Sequence, residues 1–123
     1  MITLTDIDII QLLRKNNLNA DTLQEDVVAK LIENKLTLAT AESCTGGLLT
    51  GRIVNVSGAS DVLQQSFVTY ANDAKRKLLK VKKKTLKKYG AVSKQTAKEM
   101  VKGVAKASKA EVGVGVTGIA GPY

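Results

Sequence analysis

Three short stretches rich in β-formers, KLTLATAE at 35–42, SFVTY at 66–70 and AEVGVGV at 110–116, are separated by stretches that pattern as helix. This alternation constrains the fold more than any other feature, because helices between short β-rich runs imply an α/β sheet with several parallel pairs. Three strands are few for such a sheet. The chain also ends directly after the Gly-rich turn TGIAGP, where a further element is expected, so the sheet is expected to be incomplete at its C-terminal side.

The helical stretches carry their own start and stop signals. Thr5 can cap a helix running to about Lys15, with Ile9, Ile10, Leu12 and Leu13 apolar, and NNLNAD breaks it. A second helix starts after Asp21, where Thr22 and Glu25 have capping-box spacing. Leu23, Val27, Leu31 and Ile32 line one face of it. LLTGRIVNV reads as a helix ended by SGAS. Asn72 caps a short helix carrying Lys75, and Lys82 to Tyr89 adds a turn or two closed by Gly90. Ser93 caps a long helix with Ala97, Met100, Val101 and Val104 inward and lysines 94, 98, 102 and 106 in one outer stripe. The expected organisation is an extra N-terminal helix over 1–22, followed by one domain over 23–123.

At 123 residues and 44% hydrophobic, the chain suits one domain with a modest core. One Phe, three Tyr and no Trp leave that core to Val, Ile, Leu and Ala. No apolar stretch approaches the roughly 20 residues that span a bilayer. MITLTDIDII carries acids where a signal peptide carries positive charge. Cys44 is the sole cysteine, which excludes an internal disulfide and a Cys-built metal site. A cytoplasmic protein is expected.

The net charge of +8 is unevenly spread: residues 1–74 hold five basic and nine acidic side chains, residues 75–123 fourteen and two. A block this positive is either a solvated lysine face or an attractor of phosphate-bearing partners. The shortage of aromatic platforms argues against single-stranded nucleic acid. A non-catalytic nucleotide or nucleic-acid binding domain is the rival to an enzyme.

GVGVTG at 113–118 matches the dinucleotide fingerprint in letters only. It should open a helix, yet IAGPY follows, and Val114 and Val116 make its first glycines part of a strand.

TAESCTGG at 40–47 is the stronger candidate. A strand ending at Glu42 and a helix beginning near Thr45 place Ser43 at a sharp corner, facing free helix-start N–H groups that can hold a phosphate or an oxyanion. Gly46 and Gly47 permit a ligand to approach the backbone. The plainer alternative is that Ser43 or Thr45 only caps the helix. With no histidine in the chain, Ser-His-Asp and Cys-His pairs cannot be assembled within it. A lysine or tyrosine of lowered pKa is the usual substitute. YANDAK supplies Tyr70 and Lys75 just after the second strand, on the sheet edge that parallel pairing shares with Ser43; packing and surface roles remain the alternative for both. Cys44, pointing opposite to Ser43, is expected in the core.

In this order and spacing, TAESCTGGLL, VTYANDAK, YGAVS and VTGIAGP resemble the C-terminal domain of the CinA (competence/damage-inducible) family, from about Val27 to Pro122. Stand-alone members of that family are nicotinamide-nucleotide amidohydrolases, also called nicotinamide mononucleotide deamidases. The resemblance implies a three-layer α/β/α fold with a mixed, mostly parallel sheet. It also implies cofactor-free, metal-independent hydrolysis of the carboxamide of nicotinamide mononucleotide to nicotinate mononucleotide and ammonia. By motif, Ser43 is then the nucleophile, with Tyr70 and Lys75 activating it and shuttling protons. Glu42, Thr45, Gly46 and Gly47 shape the oxyanion or ligand pocket, and Thr117, Gly118 and Gly121 line the nucleotide site. Family domains continue past GIAGP with further strands, a helix and a substrate-holding arginine, and this chain departs from them there. The expectations are a truncated, inactive copy, or a chain that completes its sheet with a partner chain, a homodimer being favoured.

Overall fold

A computed structural model of the chain describes residues 6–122, with side chains from Gln11 onward. The proposed Thr5 cap, and the side chains of Ile9 and Ile10, lie outside the described residues. The elements are α1 (Asp6–Lys15), α2 (Leu23–Glu33), β1 (Leu38–Glu42), α3 (Leu48–Val54), a 3-10 turn (Ala59–Asp61), β2 (Leu63–Val68), α4 (Asn72–Leu79), α5 (Lys83–Tyr89), α6 (Lys94–Ser108) and β3 (Val112–Val116). The strands form one parallel sheet ordered β2-β1-β3. The fold is α/β, as expected, and every pairing among the described residues is parallel.

Strand β1 is central and buried along its whole length. Alternate residues of a strand face opposite ways, and here each face meets a separate core. Ala39 and Ala41 join Leu79, Val81, Met100, Val104 and Ala110 under α4 and α6, with Phe67 and Leu86 at the margin. Leu38 joins Val28, Leu31, Ile53, Ala59 and Val62 under α2 and α3. Helices therefore cover both faces, giving the three layers.

The glycines of GVGVTG have a packing role. A Cβ on Gly115 would come 2.8 Å from the Val101 side chain, and one on Gly113 would lie in ordinary contact with Val101 and Val104. With Ala39 and Ala41 beside them, they make a low sheet surface on which α6 rests closely. Gly103 serves the same purpose between helices, since a Cβ there would collide with the Leu79 carbonyl.

Several local expectations shift. Ser93 caps α6 as expected, its Oγ accepting from Thr96 N–H at 3.1 Å. Thr22 makes no side-chain cap bond, its backbone being turned to φ −115°, ψ 9°. Asn72 is already the first residue of α4, and Ala71 occupies the cap position. Val28 faces the core of α2 while Ile32 is largely exposed. Strand β2 begins at Leu63, three residues before SFVTY, because an edge strand tolerates the exposed Gln64 and Gln65.

Candidate active site

Glu42 and Ser43 are neighbours that leave β1 toward opposite faces. Continuing the alternation, Glu42 falls on the α3 side with Thr40, and Ser43 on the α4–α6 side with Ala39 and Ala41. Both ends of the corner are pinned to the adjoining strands. Ser43 N–H donates to the Val116 carbonyl at 3.0 Å, and Thr69 N–H donates to the Glu42 carbonyl at 2.8 Å.

On its side, Ser43 meets Lys75. Lys75 lies in the first turn of α4, and α4 packs against α6, which brings its side chain inward beneath the end of β2. Lys75 is 1% exposed and Ser43 6%. Lys75 Nζ lies 2.9 Å from Ser43 Oγ, 2.8 Å from the Thr69 carbonyl oxygen and 3.0 Å from that of Tyr70. Among the described residues no carboxylate comes within ion-pair distance of it. Burial pushes the Lys75 amine below its ordinary 10.5, and Cys44 partly offsets this.

On the other side, the Glu42 carboxylate is fully buried and accepts five hydrogen bonds. Oε1 accepts from Thr45 Oγ1 (2.5 Å), Gly47 N–H (3.1 Å) and Leu49 N–H (3.1 Å). Oε2 accepts from Thr50 N–H (2.9 Å) and Thr50 Oγ1 (2.6 Å). Burial alone would raise the pKa of Glu42, but the Thr45 and Thr50 hydroxyls and the Thr50 and Leu49 amides together lower it to about 2. The carboxylate caps α3 from the preceding strand, and its oxygens are taken up by protein donors rather than turned to a ligand.

This changes the expected source of oxyanion donors. Helix α3 starts at Leu48, after a turn in which Gly46 and Gly47 take φ of 59° and 105°. Its first amides serve Glu42 and, for Leu48, the Thr45 carbonyl. Among the described residues, the turn amides without a protein acceptor are those of Cys44 and Thr45.

Of the other expected site residues, Tyr70 contributes its carbonyl to Lys75 while its ring is 72% exposed. Its phenol makes no hydrogen bond to Ser43 or Lys75. Thr117 Oγ1 donates to the Ala91 carbonyl at 2.7 Å, tying the end of β3 to the loop before α6. Gly118 lies beside Cys44, where a Cβ would come 3.3 Å from the sulfur. Cys44 is therefore half-buried at the turn and not in the core. Gly46 and Gly121 are exposed.

The residue sequence reasoning missed is Thr50, which gives Glu42 both its amide and its hydroxyl. The signal available was only its place in the first turn of a helix after an acid-bearing corner.

Known proteins match this chain over most of its length. The CinA C-terminal domain model matches residues 20–123. The chain belongs to the CinA C-terminal domain family. A Clostridium novyi protein carrying a competence-damage inducible name is 58% identical over 101 residues, which are 82% of this chain and 24% of that protein. A CinA-like protein of Kosmotoga olearia is 52% identical over 83% of this chain and 25% of its own length. The chain thus spans about a quarter of the curated CinA relatives it matches. Among solved structures, competence/damage inducible protein CihA of Agrobacterium tumefaciens matches with 46% identity and a TM-score of 0.80, covering 82% of this chain and 61% of that one. A CinA superfamily protein of Escherichia coli matches with 33% identity and a TM-score of 0.81, over 99% and 65%. Among the described residues, no helix of this CinA domain is long and apolar enough to cross a membrane.

Proposed function

We propose that this CinA domain is an amidohydrolase that cleaves the carboxamide of nicotinamide mononucleotide, releasing ammonia and nicotinate mononucleotide. The observation that carries the reading is the 2.9 Å contact between Lys75 Nζ and Ser43 Oγ in a buried setting.

As an ammonium, Lys75 donates to Ser43 Oγ and to the Thr69 and Tyr70 carbonyls; in its neutral form it keeps the two carbonyl bonds and turns its lone pair to the Ser43 hydroxyl. It takes the Ser43 proton as Oγ bonds to the carboxamide carbon. The amide oxygen becomes an oxyanion, with the Cys44 and Thr45 N–H groups as its donors. As the C–N bond breaks, the Lys75 ammonium returns the proton to the leaving nitrogen, and ammonia departs from a Ser43 ester. Water then attacks the ester carbon, Lys75 takes the water proton, and the same proton restores the Ser43 hydroxyl. Tyr70, whose carbonyl already holds Lys75, would relay the proton between Lys75 and the leaving nitrogen through its phenol. Gly46 and Gly121, with open space at their Cβ positions, leave room for the nucleotide near Thr117 and Gly118.

Ammonia release from nicotinamide mononucleotide, compared between the chain and Ser43→Ala, tests this. Turnover that vanishes in the variant supports it; full activity in Ser43→Ala, or no turnover at all, ends it. Binding of nucleic acid, steeply weakened by salt and unaffected by loss of Ser43, would favour the non-catalytic alternative.

A further inference from the structure

We propose that Thr50 is a positioning residue for the Ser43 corner, acting through Glu42 to leave the Cys44 and Thr45 amides as the oxyanion donors. This rests on the reading of Ser43 as nucleophile and assigns the residues that shape its surroundings.

Glu42 supplies four donors with two acceptor oxygens, counting only the groups closing the turn and starting α3: Gly47, Leu49 and Thr50 N–H and the Thr45 hydroxyl. The Thr50 hydroxyl is a fifth donor. An ionised carboxylate only accepts, so the Thr50 proton must point at Oε2. The amides that a helix start would ordinarily offer to an external anion are thereby spent on an internal one. What remains unpaired in the turn is the pair immediately after Ser43.

Thr50 is itself held. Its Oγ1 lies 2.7 Å from Thr40 Oγ1, and Thr40 Oγ1 lies 2.7 Å from Ser66 Oγ. These hydroxyls run across β1 to the edge strand β2 on the face opposite Lys75, so they touch neither Ser43 nor its base. Their influence passes through the carboxylate. Without the Thr50 hydroxyl, Oε1 keeps its three donors but Oε2 keeps one, so the carboxylate is held less firmly at the Thr50 end and can shift against the turn amides. A displacement of the turn alters the aim of its two free N–H groups and of Ser43 Oγ together, and misplacement on this scale is costly to a reaction while scarcely altering ground-state binding.

Thr50→Val removes the hydroxyl at nearly constant shape, and Thr50→Ser restores it. Turnover of nicotinamide mononucleotide is measured alongside the rate at which a sulfonyl fluoride labels Ser43, read by mass spectrometry, with Ser43→Ala as the labelling control and thermal unfolding as the check on folding. The expected result is a fall in kcat of roughly ten- to a hundredfold in Thr50→Val with KM little changed, slower Ser43 labelling in parallel, and recovery of both in Thr50→Ser. Unchanged kcat and labelling in folded Thr50→Val overturns the proposal. So does a loss that Thr50→Ser fails to recover. If the chain does not act on nicotinamide mononucleotide, labelling alone decides: a slowed, Ser-rescued label upholds the positioning role while the substrate reading fails.

Discussion

Lys75 Nζ sits 2.9 Å from Ser43 Oγ across 32 residues of sequence, and the same nitrogen is held by the Thr69 and Tyr70 carbonyls. Two carbonyls fix the amine without supplying a negative charge, so its position is secured while its charge is not. That combination favours a base over a structural cation. Lys75→Met, which keeps much of the buried stem, should lower kcat by about a hundred- to ten-thousandfold. Circular dichroism should show an intact fold beside the activity loss.

The activity should rise with pH. Burial places the folded pKa of Lys75 below 10.5, so the neutral, proton-accepting fraction grows as pH increases through that lowered value. Between the folded pKa and 10.5 the unfolded chain binds the additional proton, and stability at this site rises with pH across the same window. A kcat/KM profile in which the alkaline-rising limb disappears in Lys75→Met is the expected record.

Glu42 acts in the acid range with the opposite origin. Its pKa is lowered from 4.5 to about 2, so the stabilisation is fully present above about 4.5 and is lost as pH falls toward 2. The shift corresponds to stability on the order of 3 kcal/mol. Glu42→Gln should therefore unfold more easily at neutral pH and lose less additional stability between pH 5 and 2 than the parent chain. Urea melts across that range check it.

Two glycine substitutions should have opposite signs. Gly103→Ala drives a methyl into the Leu79 carbonyl between α4 and α6 and should cost about 1–3 kcal/mol. Gly51→Ala, in α3 with open space at its Cβ position, should stabilise by about 0.5–1 kcal/mol. Thermal unfolding of both variants measures the contrast.

Tyr70→Phe separates two uses of one residue. The carbonyl that holds Lys75 survives the change, and the phenol does not. A proton-shuttling phenol predicts a kcat loss of about tenfold or more with an unchanged melting temperature. Wild-type kcat would leave Tyr70 with its backbone role alone.

The α/β alternation, the strand locations and the Ser43–Lys75 pairing are readable because each rests on a local rule: β-rich runs, helical periodicity and strand ends sharing an edge. The three layers are legible only through the family resemblance. The Glu42 cap is not readable. Capping boxes run from a helix start to its own first turn, whereas Glu42 reaches Thr50 from the end of a strand, eight residues away. The same oversight made the helix-start amides look free. Gly46 and Gly47 take positive φ, which delays α3 to Leu48 and turns its amides to the carboxylate. GVGVTG runs into strand β3 rather than opening a helix, and the close seat of α6 on its glycines is a tertiary contact that no local pattern announces.

Trapping the reaction in acid during turnover and weighing the peptide that carries Ser43 interrogates the chemistry without intermediaries. A nicotinate mononucleotide ester on that peptide, absent from Ser43→Ala, is the predicted result. Sustained ammonia release by Ser43→Ala, with no adduct on the parent protein, would contradict the account.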